Sequence, residues 1–196
     1  MVERARTGPT AADRGREVRE RLLQAAVELI PRHGWGAVST RMVAEQAGVT
    51  PGLVHYHFAS LQALLSDAAL GTIRELIGGI PALLDDARSP RQALNILFAT
   101  LDSYQGRDPV SLLMAETYMA ATRNEPLREA LAAVIADFRS ELAGTLERLG
   151  VRDAAGCAAV LSAALDGVVL HRALGLALPA ATVTRVLGRT LEGDKG

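Results

Sequence analysis

The sequence predicts an all-α protein, and three observations carry that prediction. Apolar residues recur at helical spacing along the whole 196-residue chain. No stretch sustains the strict alternation of a half-buried strand, and the breaks fall at Gly and Pro clusters that suit helix ends.

Val18, Leu22, Ala25, Ala26, Leu29 and Ile30 follow i, i+4, i+7, i+8, i+11 spacing and predict an amphipathic helix over 16–32. Gly34 and Gly36 end it. Ser39 or Thr40 caps a short helix over 40–47 with Val43, Ala44 and Ala47 inward, and Gly48 breaks it. Thr50 is then an N-cap and Pro51 the first residue of a third helix, 51–57, where the missing N–H of proline costs nothing. Ser60 caps a fourth helix that runs to Gly78-Gly79 and Pro81. Further helices are expected at 90–105, 109–123, 126–149, 154–176 and 180–191, separated by "GRDP", "RNEP", the Gly150 region and "LALP". The first dozen residues read as a frayed arm. The expected domains are 1–61, arm plus three helices, and 62–196, a larger helical domain.

Composition narrows the class. A hydrophobic content of 49% argues against disorder. No uninterrupted apolar run approaches the roughly 20 residues that span a bilayer. The opening "MVERARTGPTAADRGREVRER" is charged and has no apolar core, so it does not read as a signal peptide. The lone cysteine, Cys157, has no intramolecular partner and reads as a small buried hydrophobe. These features suit a cytoplasmic protein with no membrane partner. The net charge of −1 hides an asymmetry: residues 1–61 carry eight arginines against six acids, and the remainder sums to −3. That imbalance alone does not indicate nucleic acid.

The stretch that raises a functional question is "AEQAGVTPGLVHYHF", 44–58. Ala44 lets two helices cross closely, Gly48 tolerates φ > 0 in the turn, and Val54 plugs the interface from the second helix. Such a helix-turn-helix fits a DNA reader, and it fits a plain helical corner. His55, Tyr56 and His57 are consecutive, so they splay by about 100° each around a helix. Metal ligands converge at i, i+3 or i+4 with further Cys, Asp or Glu partners, which these histidines lack. No nucleophile–base pair lies nearby either. No metal, cofactor or catalytic site is expected, and the chain is not expected to be an enzyme. Hydroxyl and imidazole groups beside a helix N-terminus do suit phosphate oxygens. Phe58 reads as a core plug beneath the fourth helix.

The segment "STRMVAEQAGVTPGLVHYHFASLQALL" (39–65), with "LLQAAVELIPRHGWGAVST" (22–40) running into it, resembles the TetR (tetracycline-repressor) family of bacterial transcription regulators. The resemblance covers residues 16–65, and "AALDGVVLHRAL" (163–174) is a further familiar stretch. It implies a symmetric homodimer whose third helix enters the major groove of a double-stranded DNA operator. Thr50, His55, Tyr56 and His57 match phosphate-contacting places, as do Thr40 and Arg41. Pro51, Gly52 and Leu53 match places near base edges. Three departures stand out, because the family often has a basic residue where Pro51 stands, tyrosine at His55 and lysine at Leu61. Fewer basic groups flatten the salt dependence of binding. Readout then leans on thymine methyls, backbone approach at Gly52, Tyr56 and DNA shape. Arg4, Arg6, Arg14 and Arg16 form either a mobile arm that reaches the duplex or a solvated tail.

Beyond residue 75 the chain is too apolar to be a mere handle. Helix 126–149 presents Leu127, Leu131, Val134, Ile135, Phe138, Leu142, Leu146 and Leu149, and helix 154–176 presents Ala158, Leu161, Ala164, Leu165, Val168 and Leu174. In the family two such helices pair with their mates in an intersubunit bundle, while an intrasubunit core explains the same stripes. The family also implies an effector cavity among helices 4 to 8, for which Phe98, Tyr104, Met114, Tyr118 and His171 are the candidates. Glu116 reads as solvated. With few charges on these faces, the expected effector is small and mostly apolar. The functional expectation is a transcriptional repressor released from its operator when the effector favours another separation of the recognition helices, about 34–36 Å apart in the binding form. The alternatives are a dimeric small-molecule-binding relative with weak or lost DNA affinity, and a ligand-independent regulator or activator.

Overall fold

Why the first helix begins where it does is written in four residues. The Thr10 hydroxyl accepts the Asp13 N–H at 3.2 Å while the Asp13 carboxylate accepts the Thr10 N–H at 3.0 Å. This reciprocal capping box starts α1 (Ala11–His33) ahead of the expected residue 16. Arg16 closes the same turn by pairing with Asp13 at 2.6 Å. Arg14 and Arg16 are therefore helical and do not belong to a loose arm. Arg4 and Arg6 lie outside the described residues: the computed structural model describes 10–176 and 178–192. The described residues contain helices and no strand.

The chain divides into two compact units, Met1–Ala69 and Leu70–Gly196. The division falls inside the fourth helix, beyond the expected boundary at residue 61. In the first unit Gly34 ends α1, and a short 3-10 turn, Trp35–Ala37, buries Trp35 and donates its indole N–H to Gln62 at 2.8 Å. Next come α2 (Thr40–Gln46), capped by Ser39, and α3 (Pro51–His57), with Pro51 in its first turn. The fourth helix, α4 (Leu61–Gly78), begins with the Ser60 hydroxyl accepting the Ala63 N–H at 3.0 Å. Leu22, Ala26 and Ile30 of α1, Val43 of α2, Val54 of α3 and Leu64 of α4 are all fully buried.

The second unit contains α5 (Ile80–Leu84), α6 (Pro90–Thr100), α7 (Pro109–Ala121), α8 (Glu125–Arg148), α9 (Ala154–Ala173) and α10 (Ala180–Glu192). A side-chain cap followed by proline in the first turn opens three of them: Ser89 with Pro90, Asp108 with Pro109, and Asn124 with Pro126. Each cap accepts a first-turn N–H that has no partner within the helix, and the proline removes one such donor outright. Helix α5 was not expected, because Gly78, Gly79 and Pro81 read as a break. Proline is harmless in a first turn, and burial of Leu84 holds the short helix in place. Helix α6 ends earlier than expected and tightens into a 3-10 turn, Leu101–Ser103.

The core of this unit gathers Leu94, Leu97 and Phe98 of α6 with Leu142 and Leu146 of α8 and Leu161 of α9. Each fully buried leucine stabilises by about 1.5–3 kcal/mol relative to exposure. The apolar stripes of α8 and α9 thus face an intrasubunit core, with Leu174 the exception at 74% exposure. By length and composition alone α9 is apolar enough to cross a bilayer, a feature the residue-by-residue reading missed because Asp166 interrupts it. Its Ala158, Leu161, Leu165 and Val168 are core residues here. Cys157 is half-buried against that core; burial first, and Asp153 second, push its thiol up and away from reactivity.

Candidate functional site

The α2–α3 corner is held by the sterics its sequence announced. Gly48 adopts φ +64° in the turn, a conformation that strains residues bearing a Cβ. Ala44, Ala47 and Val54 are buried where the helices cross. Glu28 of α1 fixes the pair from behind, accepting from Gln24 at 3.1 Å and from Gln46 of α2 at 2.7 Å. Those two amide donors, Gln24 first, hold the Glu28 carboxyl below its ordinary range. At the far end Phe58 is buried, as expected of a plug, with the Arg19 guanidinium 4.9 Å above its ring. Arg19 also pairs with Asp67 of α4 at 2.7 Å.

With one side of α3 locked, its other side is solvent-facing. Tyr56 is 80% exposed. Thr50, Pro51, Gly52 and His55 are exposed, as is Arg41 of α2, while Thr40, Leu53 and His57 are half-buried. The Thr50 hydroxyl makes no capping bond to its own helix. His57 stands perpendicular to Tyr56, ring centres 5.0 Å apart. A Cβ added at Gly15 would lie 3.9 Å from His57 Cε1, so this imidazole rests close over α1. The structure therefore brings all nine sequence-identified residues to one corner, with His57 the most enclosed of the three rings. Among the described residues no cluster of His, Cys, Asp or Glu has metal-binding geometry.

The second unit holds a cavity of about 390 Å³. Its walls come from α4 and α5, the end of α6 and the turn after it, then α7, α8 and α9. Tyr104, Met114 and Tyr118, read from the sequence as candidates, line it. Phe98 and His171 do not. Phe98 is consumed by the α6–α8–α9 core at 1% exposure, and His171 points to solvent from the last turn of α9. Glu116 is half-buried and does not reach the cavity.

Residue-level reading missed Phe138, Ser111, Thr100, Ser162 and above all Asp166, whose Oδ2 accepts the Tyr118 hydroxyl at 2.6 Å. Burial, the larger effect, pushes the Asp166 carboxyl up, with Tyr118 and Arg139 pulling against it. Burial also drives the Tyr118 phenol above its ordinary range. A lone acid inside the apolar run "AALDGVVLHRAL" was the signal available.

A second polar arrangement holds two residues of the cavity wall, Leu101 and Tyr104. Arg172 of α9 donates to the Leu101 carbonyl, to the Tyr104 carbonyl at 2.9 Å and to Asp102 at 3.3 Å. The chain crosses α9 so closely just beyond this point that a Cβ on Gly106 (φ +78°) would come within 2.3 Å of the Ala173 backbone nitrogen.

Comparison with known proteins finds a family match in each unit. Residues 22–68 match the model for bacterial regulatory proteins of the tetR family, and 88–193 match the tetracycline repressor-like C-terminal domain. The HTH-type transcriptional regulator BetI of Agrobacterium fabrum is 32% identical over 158 residues, spanning 80% of this chain and 77% of that protein. Among solved structures, one from Streptomyces coelicolor A3(2) superposes with a TM-score of 0.77 at 26% identity, covering 90% of this chain and 99% of that one. Another, from Saccharomonospora viridis and solved in complex with choline, gives 0.72 at 22% identity over 91% and 97%. The chain belongs to the tetR family of bacterial regulatory proteins and is a DNA-binding transcriptional regulator, not an enzyme.

Proposed function

We propose that this regulator is a repressor that binds its operator as a homodimer and lets go when a small effector fills the cavity of the second unit. The observation that carries the reading is the contrast between the two sides of α3: Val54 fully buried on one, Tyr56 80% exposed on the other. A helix locked on one side and bare on the other suits insertion into a major groove. Thr40, Arg41, Thr50, His55 and Tyr56 are assigned to phosphates, which set register. Pro51, Gly52 and Leu53 are assigned to the floor of the groove, where apolar contact with thymine methyls and close backbone approach replace hydrogen-bonded readout. His57 supports Tyr56 edge-on and offers its outer edge to the backbone.

Dimerisation is assigned to the outward sides of α8 and α9. Val160 and Leu170 of α9 are 59% and 52% exposed, and Ala132, Ala136 and Gly144 of α8 are small and solvent-facing. Small residues permit the close approach of an intersubunit helix pair. Release is assigned to the cavity. Helix α4 is a single element that carries Leu64 in the first unit's core and Ile73 and Ile77 on the cavity wall, which makes it the natural carrier of the signal. The effector shifts operator affinity only by its differential affinity for the two conformers.

The test is a mobility shift of the gene's own upstream region by the purified chain over a range of salt concentrations, with sedimentation to count protomers. A dimer is expected to form a specific complex with a shallow salt slope, since Pro51 and Leu61 supply no phosphate-pairing charge. Those two residues also favour the runner-up, a dimeric small-molecule-binding relative with lost DNA affinity. Absence of any specific complex even at low salt decides for it.

A further inference from the structure

The polar groups on the cavity wall share one property: where their protons can be followed, those protons are already committed. The Thr100 hydroxyl donates to the Leu97 carbonyl at 2.6 Å, the Ser111 hydroxyl to Asp108 at 2.6 Å, and the Tyr118 hydroxyl to Asp166 at 2.6 Å. These three hydroxyls have only lone pairs left to offer, and the Tyr104 and Ser162 hydroxyls stand beside them. Asp166 adds a carboxylate, and no Lys, Arg or His stands among the described lining residues. Three rings, Tyr104, Tyr118 and Phe138, share the same walls. Elsewhere the lining is aliphatic, with residues such as Ile77, Leu131 and Val169.

We infer that the ligand of this cavity is a small organic cation with an apolar body, a protonated amine or a quaternary ammonium, whose charge is met by Asp166 and the neighbouring rings. The inference rests on the proposed effector role of the cavity and names the chemistry of its occupant. A carboxylate beside three hydroxyls whose protons are spent repels an anion and leaves a neutral donor only partly rewarded. A cation gains from the carboxylate, from the lone pairs and from the negative faces of the rings.

The state of Asp166 fits this reading. Its Oδ2 accepts the Tyr118 hydroxyl, and the residue lines the cavity, where its negative charge meets an incoming ligand. Desolvation raises its carboxyl, and the Tyr118 hydrogen bond does not fully offset it. Arg139 of α8 exerts a favourable field on it, but that side chain is exposed and is not a cavity wall. A half-buried carboxylate whose desolvation is offset only in part is a site that gains from a desolvated cation. The aliphatic walls then bury the rest of the ligand and set its length.

Calorimetric titration of the full chain with hexyltrimethylammonium, hexylammonium, 1-hexanol and hexanoate separates the outcomes, with mobility shift on the operator read in parallel. At least one cation is expected to bind about tenfold more tightly than 1-hexanol, and hexanoate more weakly than either. Asp166→Asn, which preserves shape, is expected to erase that preference while 1-hexanol affinity stays the same. Tyr118→Phe keeps the charge and is expected to hold the preference within about threefold, circular dichroism confirming that both variants are folded. Equal binding of cation and alcohol, an unchanged preference in Asp166→Asn, or as large a loss in Tyr118→Phe would each overturn the cation assignment and leave the effector role intact. If none of the four binds and none moves operator affinity, the cation assignment fails together with the effector role.

Discussion

The two units build function in opposite ways. In the first, every group assigned to DNA sits within 18 residues of sequence, Thr40 to His57, and its exposure follows from local constraints: a cap at Ser39, a left-handed turn at Gly48 and a proline opening at Pro51. In the second, the cavity is bounded by residues from Ile73 to Val169, and its key pair, Tyr118 and Asp166, is 48 positions apart. A surface can be presented by a short motif. A hole needs several helices that fail to fill the space between them. The first site should tolerate loss of a functional group with its fold intact, whereas the second should be damaged by changes that touch no ligand.

The largest effect should come from Gly106→Ala. The added Cβ meets backbone atoms of Val169 and Ala173 and sits at a positive φ, so no rotamer change relieves it. A loss of about 3 kcal/mol or more is expected in urea unfolding, with the cavity-bearing unit failing first. Unchanged stability would mean that the loop can leave α9 freely, and the contrast between the units would weaken.

Arg172→Ala comes next. It removes the donors that hold the Leu101 and Tyr104 carbonyls and should destabilise by about 1–3 kcal/mol. Because Tyr104 lines the cavity, ligand affinity should fall with it, whereas a variant of the first unit should leave ligand binding unaffected.

On the other side of the comparison, Tyr56→Ala should leave thermal stability within experimental error, the ring being solvent-exposed, yet weaken operator binding about tenfold or more. Dimerisation should persist. Full-strength binding by this variant would remove Tyr56 from the interface.

The smallest expected effect is on acid stability. Burial works against the Asp108 carboxylate, but the Ser111 hydroxyl and N–H and the Gln105 N–H more than offset it and hold its carboxyl below the ordinary range. A depressed carboxyl contributes stability that is present above the unfolded value and lost as pH falls through the folded one. Unfolding midpoints should therefore drop on acidification below the ordinary carboxylate range, and Asp108→Asn should flatten that slope. An unaltered slope would show that the α7 cap contributes nothing through its charge.

Much of the first unit was legible because its determinants are local. Helices at 40–47 and 51–57 follow from caps, small residues and a turn glycine a few positions apart, and the structure reproduces them as Thr40–Gln46 and Pro51–His57. The early start of α1 was missed although its capping box is visible at Thr10 and Asp13; the surrounding arginines suggested an arm. In the second unit helix existence was legible and side-chain destination was not. Bulk made Phe98 a candidate for the cavity that the resemblance implied, but the core takes it instead. His171 was a candidate as the lone histidine of this region, and the last turn of α9 faces it to solvent.

What the sequence by itself determined is the all-α architecture, the helix-turn-helix and the identity of its exposed rings, because capping, turn sterics and amphipathic spacing act over a few residues. What only the tertiary structure decided is where the apolar surfaces of six helices leave a gap, and that Tyr118 and Asp166 meet in it. A void is a property of the distances between elements, and no periodicity within one element encodes it.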